Sequence, residues 1–204
     1  MNFLITGANG FLGSQFIPYL QLLKANVFTL GRSSYPGLEK QFFSIYQLNQ
    51  VSFKEFLFNS KIDFFLHLAG NSNLSNLEEN NFINCDLGMQ ILMHIRELND
   101  NNKIRCVFFG SAAEYGNVNK KFNKIREFEE TNPINNYGKA KLKQTQKAIN
   151  WDNVQQKIMI IRPFSILGEN MKNTSAFGSF INQIVDKKLN HLKTGNLNVY
   201  RDYI

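Results

Sequence analysis

Thr6-Gly7-Ala8-Asn9-Gly10-Phe11-Leu12-Gly13 is the stretch that decides the fold. It follows Asn2 to Thr6, which reads as a short apolar strand, and opens a helix expected from about Phe11 to Lys24. Pro18 lies inside that helix and is expected to bend it, since it removes a backbone donor. In such a turn Gly7 permits the tight bend, Gly10 admits a pyrophosphate close to the backbone, and Gly13 allows close helix packing. The free amides at the helix start then face the phosphates. Gly7, Asn9, Gly10, Phe11, Leu12 and Gly13 are therefore the expected dinucleotide-binding residues.

Outward from this turn, strands and helices alternate. Asn26 to Leu30 reads as a second strand and Gln41 to Tyr46 as a third. Asp63 to Leu68 (DFFLHL) is a continuous apolar run, as expected of a strand buried on both faces. A helix from about Phe82 to Asn99 precedes another strand, Arg105 to Phe109; Tyr137 to Ile149 reads as helix and Lys157 to Ile161 as strand. This order predicts the α/β class, a doubly wound parallel sheet.

Composition excludes several functions. The 204 residues are 43% hydrophobic and 19% charged, which argues against a disordered chain or a coiled coil. The net charge of +7 is spread along the chain, and Glu127, Glu129 and Glu130 interrupt its densest stretch, Lys120 to Lys147. That pattern suits an anionic small ligand better than nucleic acid. Cys85 and Cys106 lack metal-ligand spacing, so no metal site and a reducing, cytoplasmic setting are expected. No apolar run approaches ~18 residues, so no membrane span is expected. The start, MNFLITGANG, reads as strand and turn and not as a signal peptide.

The end of the second strand bears on cofactor choice. Sites for NAD usually place a carboxylate there, against the ribose hydroxyls. Here the residues are Leu30-Gly31-Arg32-Ser33-Ser34. Arg32 and Ser33 are suited to a 2′-phosphate, with no acid to repel it, so NADP(H) is expected over NAD(H).

Two further segments carry chemistry. Tyr137-Gly138-Lys139-Ala140-Lys141 sets a phenol and an ammonium four residues apart on one helical face. A nearby ammonium favours the phenolate, so Tyr137 is expected to exchange a proton with a sugar or alcohol oxygen near neutrality. The strand Cys106 to Phe109 runs into Gly110-Ser111-Ala112-Ala113-Glu114-Tyr115-Gly116. Ser111 stands where ligands bind in a doubly wound sheet and can hydrogen-bond the reacting oxygen.

TGANGFLG, HLAG (67–70), the segment around Asn84, GSAAEYG, YGKAK, IRPFSILG (161–168) and RDYI (201–204) occur in one order along the chain. In these motifs the sequence resembles the extended short-chain dehydrogenase/reductase family, the NAD(P)-dependent nucleotide-sugar epimerases, dehydratases and 4-ketoreductases. The resemblance implies a Rossmann-type fold with Ser111, Tyr137 and Lys141 as catalytic residues. It also implies that Lys141 bonds the nicotinamide ribose, that Leu68, Ala69, Gly70 and Pro163 line the cofactor, and that Ser165 and Arg201 bind the nucleotide-sugar diphosphate. His67 belongs to the strand motif as a structural residue. On this view 1–164 form the NADP-binding domain and 165–204 the incomplete start of the nucleotide-sugar-binding part, because family members continue beyond RDYI.

Departures from the family pattern narrow the reaction. Ala112 and Ala113 replace the Asp-Glu pair of the dehydratases, and Ala113 replaces a cysteine of the C3/C5-epimerising synthases. What the resemblance leaves is reduction of a nucleotide-linked 4-keto, 6-deoxy sugar. The alternatives are a 4-epimerase and a truncated, non-catalytic NADP-binding protein. A homodimer and a place in surface-polysaccharide precursor synthesis are expectations from the resemblance alone.

Overall fold

The computed structural model describes residues 1–72, 77–98, 104–117, 124–151, 157–169, 171, 175–186, 191–196, 198 and 202–204. Six strands form one sheet: β1 (Asn2–Thr6), β2 (Asn26–Gly31), β3 (Phe42–Ser44), β4 (Phe64–His67), β5 (Arg105–Phe109) and β6 (Lys157–Ile161). Their order is β3-β2-β1-β4-β5-β6, and every pairing is parallel. This is the doubly wound Rossmann-type order. Its parallel strands all exit on one edge, which gathers the motifs from five separate strand ends.

Alternation along the strands supplies two buried faces. Leu4, Leu30, Phe65, Cys106 and Phe108 face one core with α2 (Val51–Ser60) and α4 (Leu87–Glu97), through Phe53, Leu57, Ile91, Leu92 and Ile95. Ile5, Val27 and Leu66 face the other with α1 (Phe11–Leu22), through Ile17 and Leu20. Phe65, fully buried, meets Phe108 edge-on at 5.8 Å. Truncating a side chain so placed costs ~3–5 kcal/mol.

Several boundaries differ from the sequence reading. Helix α1 ends at Leu22, and Lys24 takes a left-handed φ of 57° that turns the chain into β2. The third strand is only Phe42–Ser44, flanked by single 3-10 turns. Helix α2 has no counterpart in the reading above. Its first residue lacks a side-chain cap, yet Phe53, Leu57 and Ser60 are buried at helical spacing. The helix expected from Phe82 begins earlier, as α3 (Leu77–Asn81), and passes through a π turn, Phe82–Asp86, into α4. Helix α5 (Asn136–Ile149) is capped by Asn135, whose Oδ1 accepts from the Gly138 amide at 2.7 Å.

The chain divides into two compact units, Met1–Arg162 and Pro163–Ile204. Within the second, α6 (Ala176–Val185) starts on a Ser175 cap, and a parallel bridge joins Ser165 to Tyr203. Tyr203 packs edge-on against Phe177 at 4.7 Å. Among the described residues no helix is long and apolar enough to cross a membrane, and no group of three His, Cys, Asp or Glu residues stands ready for a metal.

Candidate active site

The turn after β1 is built from backbone. Gly7 has a φ of 73°, and a Cβ there would lie 2.7 Å from the Ala69 amide nitrogen and 2.8 Å from the Leu68 carbonyl carbon. A Cβ on Gly13 would overlap the carbonyl oxygens of Gly7 and Ala8, so α1 rests directly on the turn. Gly10, the N-cap, makes no side-chain capping bond, and the first helical bond runs from the Ser14 amide to the Gly10 carbonyl at 3.0 Å. The amides of Phe11, Leu12 and Gly13 therefore have no helical acceptor. This bare, glycine-lined cradle fits the diphosphate of a dinucleotide.

Asn9 has a task the sequence does not announce. Its Nδ2 donates to the Ser33 carbonyl at 3.3 Å, to Ser33 Oγ at 3.2 Å and to the Ser34 carbonyl at 3.0 Å. It ties the glycine turn to the loop after β2. Arg32 lies in that loop, 67% exposed, and its guanidinium is 3.9 Å from Glu79 on α3. An exposed pair at that distance is worth little and is easily exchanged for another anion.

Between the two turns, β4 ends in His67, followed by Leu68, Ala69 and Gly70. His67 Nδ1 and Thr6 Oγ1 are 2.8 Å apart, and Thr6 Oγ1 also accepts from the Ala69 amide at 3.3 Å. Burial, then the Lys141 charge, push the His67 pKa down to about 3, so the ring is neutral at pH 7. Gly70 makes room for two side chains: a Cβ there would lie 3.3 Å from Asn84 Oδ1 and 3.5 Å from Lys141 Nζ. Asn84, fully buried in the π turn, clasps the Asn71 backbone, accepting from its amide at 2.9 Å and donating to its carbonyl at 2.7 Å. A π turn at a ligand edge is a recurrent functional device.

The turn after β5 is built from side chains. Ser111 caps the 3-10 turn Ala112–Glu114: its Oγ accepts from the Ala113 amide at 3.1 Å, and its amide donates to Glu114 Oε1 at 2.9 Å. Gly138 lets α5 approach this turn, since a Cβ there would lie 2.5 Å from the Ala113 carbonyl oxygen. Ser111 acts on the Tyr137 phenol, drawing its pKa down. Lys141 Nζ, one helical turn on, donates to the Phe109 carbonyl at 2.9 Å, with Gln144 Nε2 on the same oxygen at 3.3 Å.

The electrostatics depart from the spacing argument. Burial holds the Tyr137 phenol above its usual value, Ser111 draws it down, and Glu114 adds to the rise. Burial draws the Lys141 ammonium down to about 8, against the opposing pull of Glu114 and Cys85. Tyr137 is thus held as a phenol, a proton donor, rather than drawn toward phenolate.

The first unit therefore brings Ser111, Tyr137 and Lys141 together and sets Gly70 beside Lys141. Pro163 and Ser165 belong to the second unit, where the Ser165 amide donates to the Asp202 carbonyl at 3.2 Å. Arg201 lies outside the described residues. Sequence reasoning missed Glu114 and its partners and gave Asn84 no task. The first had a signal: Ser111-Ala112-Ala113-Glu114 has capping-box spacing.

Comparison with known proteins follows the same outline. The model of the NAD dependent epimerase/dehydratase family matches residues 3–204. A GDP-6-deoxy-D-talose 4-dehydrogenase from Aggregatibacter actinomycetemcomitans is 27% identical over 206 residues, covering 100% of this chain and 66% of that protein. Among solved structures, RMD from Pseudomonas aeruginosa complexed with NADPH superposes with a TM-score of 0.78 at 21% identity, over 100% of this chain and 68% of the other. UDP-glucuronic acid 4-epimerase from Bacillus cereus, in complex with UDP-glucuronic acid and NAD, gives 0.72 at 21% identity, over 90% and 63%. At these identities the two structures show the shared fold. This chain spans about two thirds of the length of such relatives.

Proposed function

The chain belongs to the NAD dependent epimerase/dehydratase family, and from that premise we propose that it reduces a nucleotide-linked 4-keto, 6-deoxy sugar with NADPH. The carrying observation is that Ser111 acts on the Tyr137 phenol one helical turn from Lys141, in a turn whose carboxylate, Glu114, is already bonded within the protein. Such a site has a proton donor but no free acid–base pair for eliminating water.

When bound, the nicotinamide cofactor supplies the hydride. Tyr137 supplies the matching proton to the sugar oxygen, so that hydrogen adds across one carbonyl. Ser111 hydrogen-bonds that oxygen and aligns the phenol. Lys141, released from the Phe109 carbonyl, holds the ribose and returns Tyr137 toward a lower proton affinity as the proton leaves. Gly7 to Gly13 cradle the diphosphate, Leu68 to Gly70 line the cofactor, and Arg32 with Ser33 binds the 2′-phosphate. Residues 1–164 act as the cofactor domain, and Ser165 and Arg201 open the sugar-nucleotide part. The 4-dehydrogenase named among the relatives supports chemistry at carbon 4, and Arg32 with Ser33 at the end of β2 supports NADPH as the cofactor.

The test is NADPH absorbance over a panel of nucleotide-linked sugars, 4-keto forms included. Stoichiometric NADPH loss with a 4-keto sugar is the expected result. An isomerised sugar without net NADPH loss would replace this reading with a 4-epimerase.

A further inference from the structure

Glu114 is 0% exposed, and among the described residues its hydrogen-bond partners Ser111, Thr145 and Arg162 are themselves buried or half-buried. Its Oε1 accepts from the Ser111 amide at 2.9 Å and from Thr145 Oγ1 at 3.1 Å. Its Oε2 accepts from Arg162 Nε at 2.6 Å. Arg162, at the end of β6, donates onward to the Glu127 carbonyl at 2.8 Å and to the Tyr115 hydroxyl at 3.3 Å, with its guanidinium 5.2 Å from the centre of the Tyr115 ring. Gly110 is part of the device, because a Cβ there would fall on Glu114 Oε1.

A buried ion pair is a poor source of stability, since desolvation offsets most of its attraction. Its placement suggests another use. Thr145 is one helical turn beyond Lys141 and two beyond Tyr137 on the same face of α5, and Ser111 is the residue that draws the Tyr137 phenol down. The carboxylate thus grips both the strand end and the helix that carry the proton-transfer residues.

We infer that Glu114, clamped by Arg162, is a positioning residue: its carboxylate fixes Ser111 and, through Thr145, the face of α5 that carries Tyr137 and Lys141. The inference rests on the reading of Tyr137 as the proton carrier. The charged and titratable groups around it are Lys141 on α5, Arg162 after β6, Tyr115 in the turn and Cys85 in the π turn. Against Tyr137, Glu114 acts in the same direction as burial, and Ser111 opposes both.

The test reads Tyr137 itself, without sugar. Phenolate absorbance is titrated in the chain and in Tyr137→Phe, and the difference isolates this one tyrosine. Glu114→Gln removes the negative charge and moves the titration down by about one pH unit. Arg162→Gln leaves the carboxylate uncompensated and moves it up by a similar amount. Opposite shifts are the signature of a charge; a packing defect moves both variants the same way and overturns the inference, as does an unmoved titration. If Glu114→Gln does not fold, an upward shift in Arg162→Gln decides, because a loosened turn relieves burial and lowers the titration; if Arg162→Gln does not fold, Glu114→Asp, which keeps the charge, must titrate above Glu114→Gln. Opposite shifts in a chain that reduces no sugar would retain this device while removing the proposed reaction.

Discussion

The turns after β1 and β5 leave the same edge of one sheet, yet they are made in opposite ways. The first is defined by what it lacks: side chains at Gly7, Gly10 and Gly13, and carbonyl partners for the first amides of α1. The second is crowded with polar side chains: Glu114 accepts from the Ser111 amide, Thr145 and Arg162, while Lys141 and Gln144 both donate to the Phe109 carbonyl. A turn of open donors waits for an anion. A turn of satisfied donors holds a proton in place. On the proposed function, the first turn binds the cofactor and the second transfers the proton.

Acid should loosen the first turn most. His67 latches Thr6, and its folded pKa of about 3 lies below the unfolded value of 6.5. As pH falls, the unfolded chain takes up the proton first, so the contribution is whole above pH 6.5 and is lost toward pH 3. The loss is bounded at about 4–5 kcal/mol, from 1.36 kcal/mol per unit. Thermal melts from pH 7 to pH 4 should show a steeper fall for the chain than for His67→Asn. Parallel curves would dissociate His67 from the acid response.

Matched glycine substitutions separate the two turns next. Gly138→Ala presses α5 off the Ala113 carbonyl and displaces Tyr137, with an expected loss of about 10²-fold in turnover and little change in NADPH affinity. Gly13→Ala presses α1 off its turn, costing ~1–3 kcal/mol and weakening NADPH binding about tenfold or more. Affinity by cofactor fluorescence and rate by NADPH absorbance measure both. The comparison breaks if both variants lose the same property. The smallest effect belongs to Arg32→Ala, which should weaken NADP binding about tenfold and leave NAD binding unchanged. Equal affinities in the parent chain would remove Arg32 as the selector.

The contrast also explains what the sequence made legible. Glycines encode a bare turn locally, so Gly7 to Gly13 and the strand before them could be read directly. The alternation of strands with helices, and the continuous apolar run Asp63 to Leu68 at β4, disclosed a parallel sheet from local patterns as well. The second turn draws its partners from far along the chain: Thr145 is 31 residues from Glu114, and Arg162 is 48. Only its Ser-x-x-Glu spacing was local. Helix α2 was missed because it starts without a capping residue, and its apolar residues include Phe53, Phe56 and Phe58, which suit a strand equally well. The burial that raises Tyr137 depends on where α5 lies, which no spacing along α5 conveys.

One measurement tests the division of labour most directly: NADPH affinity and sugar-dependent NADPH consumption, both taken on Tyr137→Phe and on the parent chain. The account predicts affinity within about threefold and consumption reduced by about 10²–10⁴-fold. Retained consumption, or affinity lost together with it, would contradict the separation of the two turns.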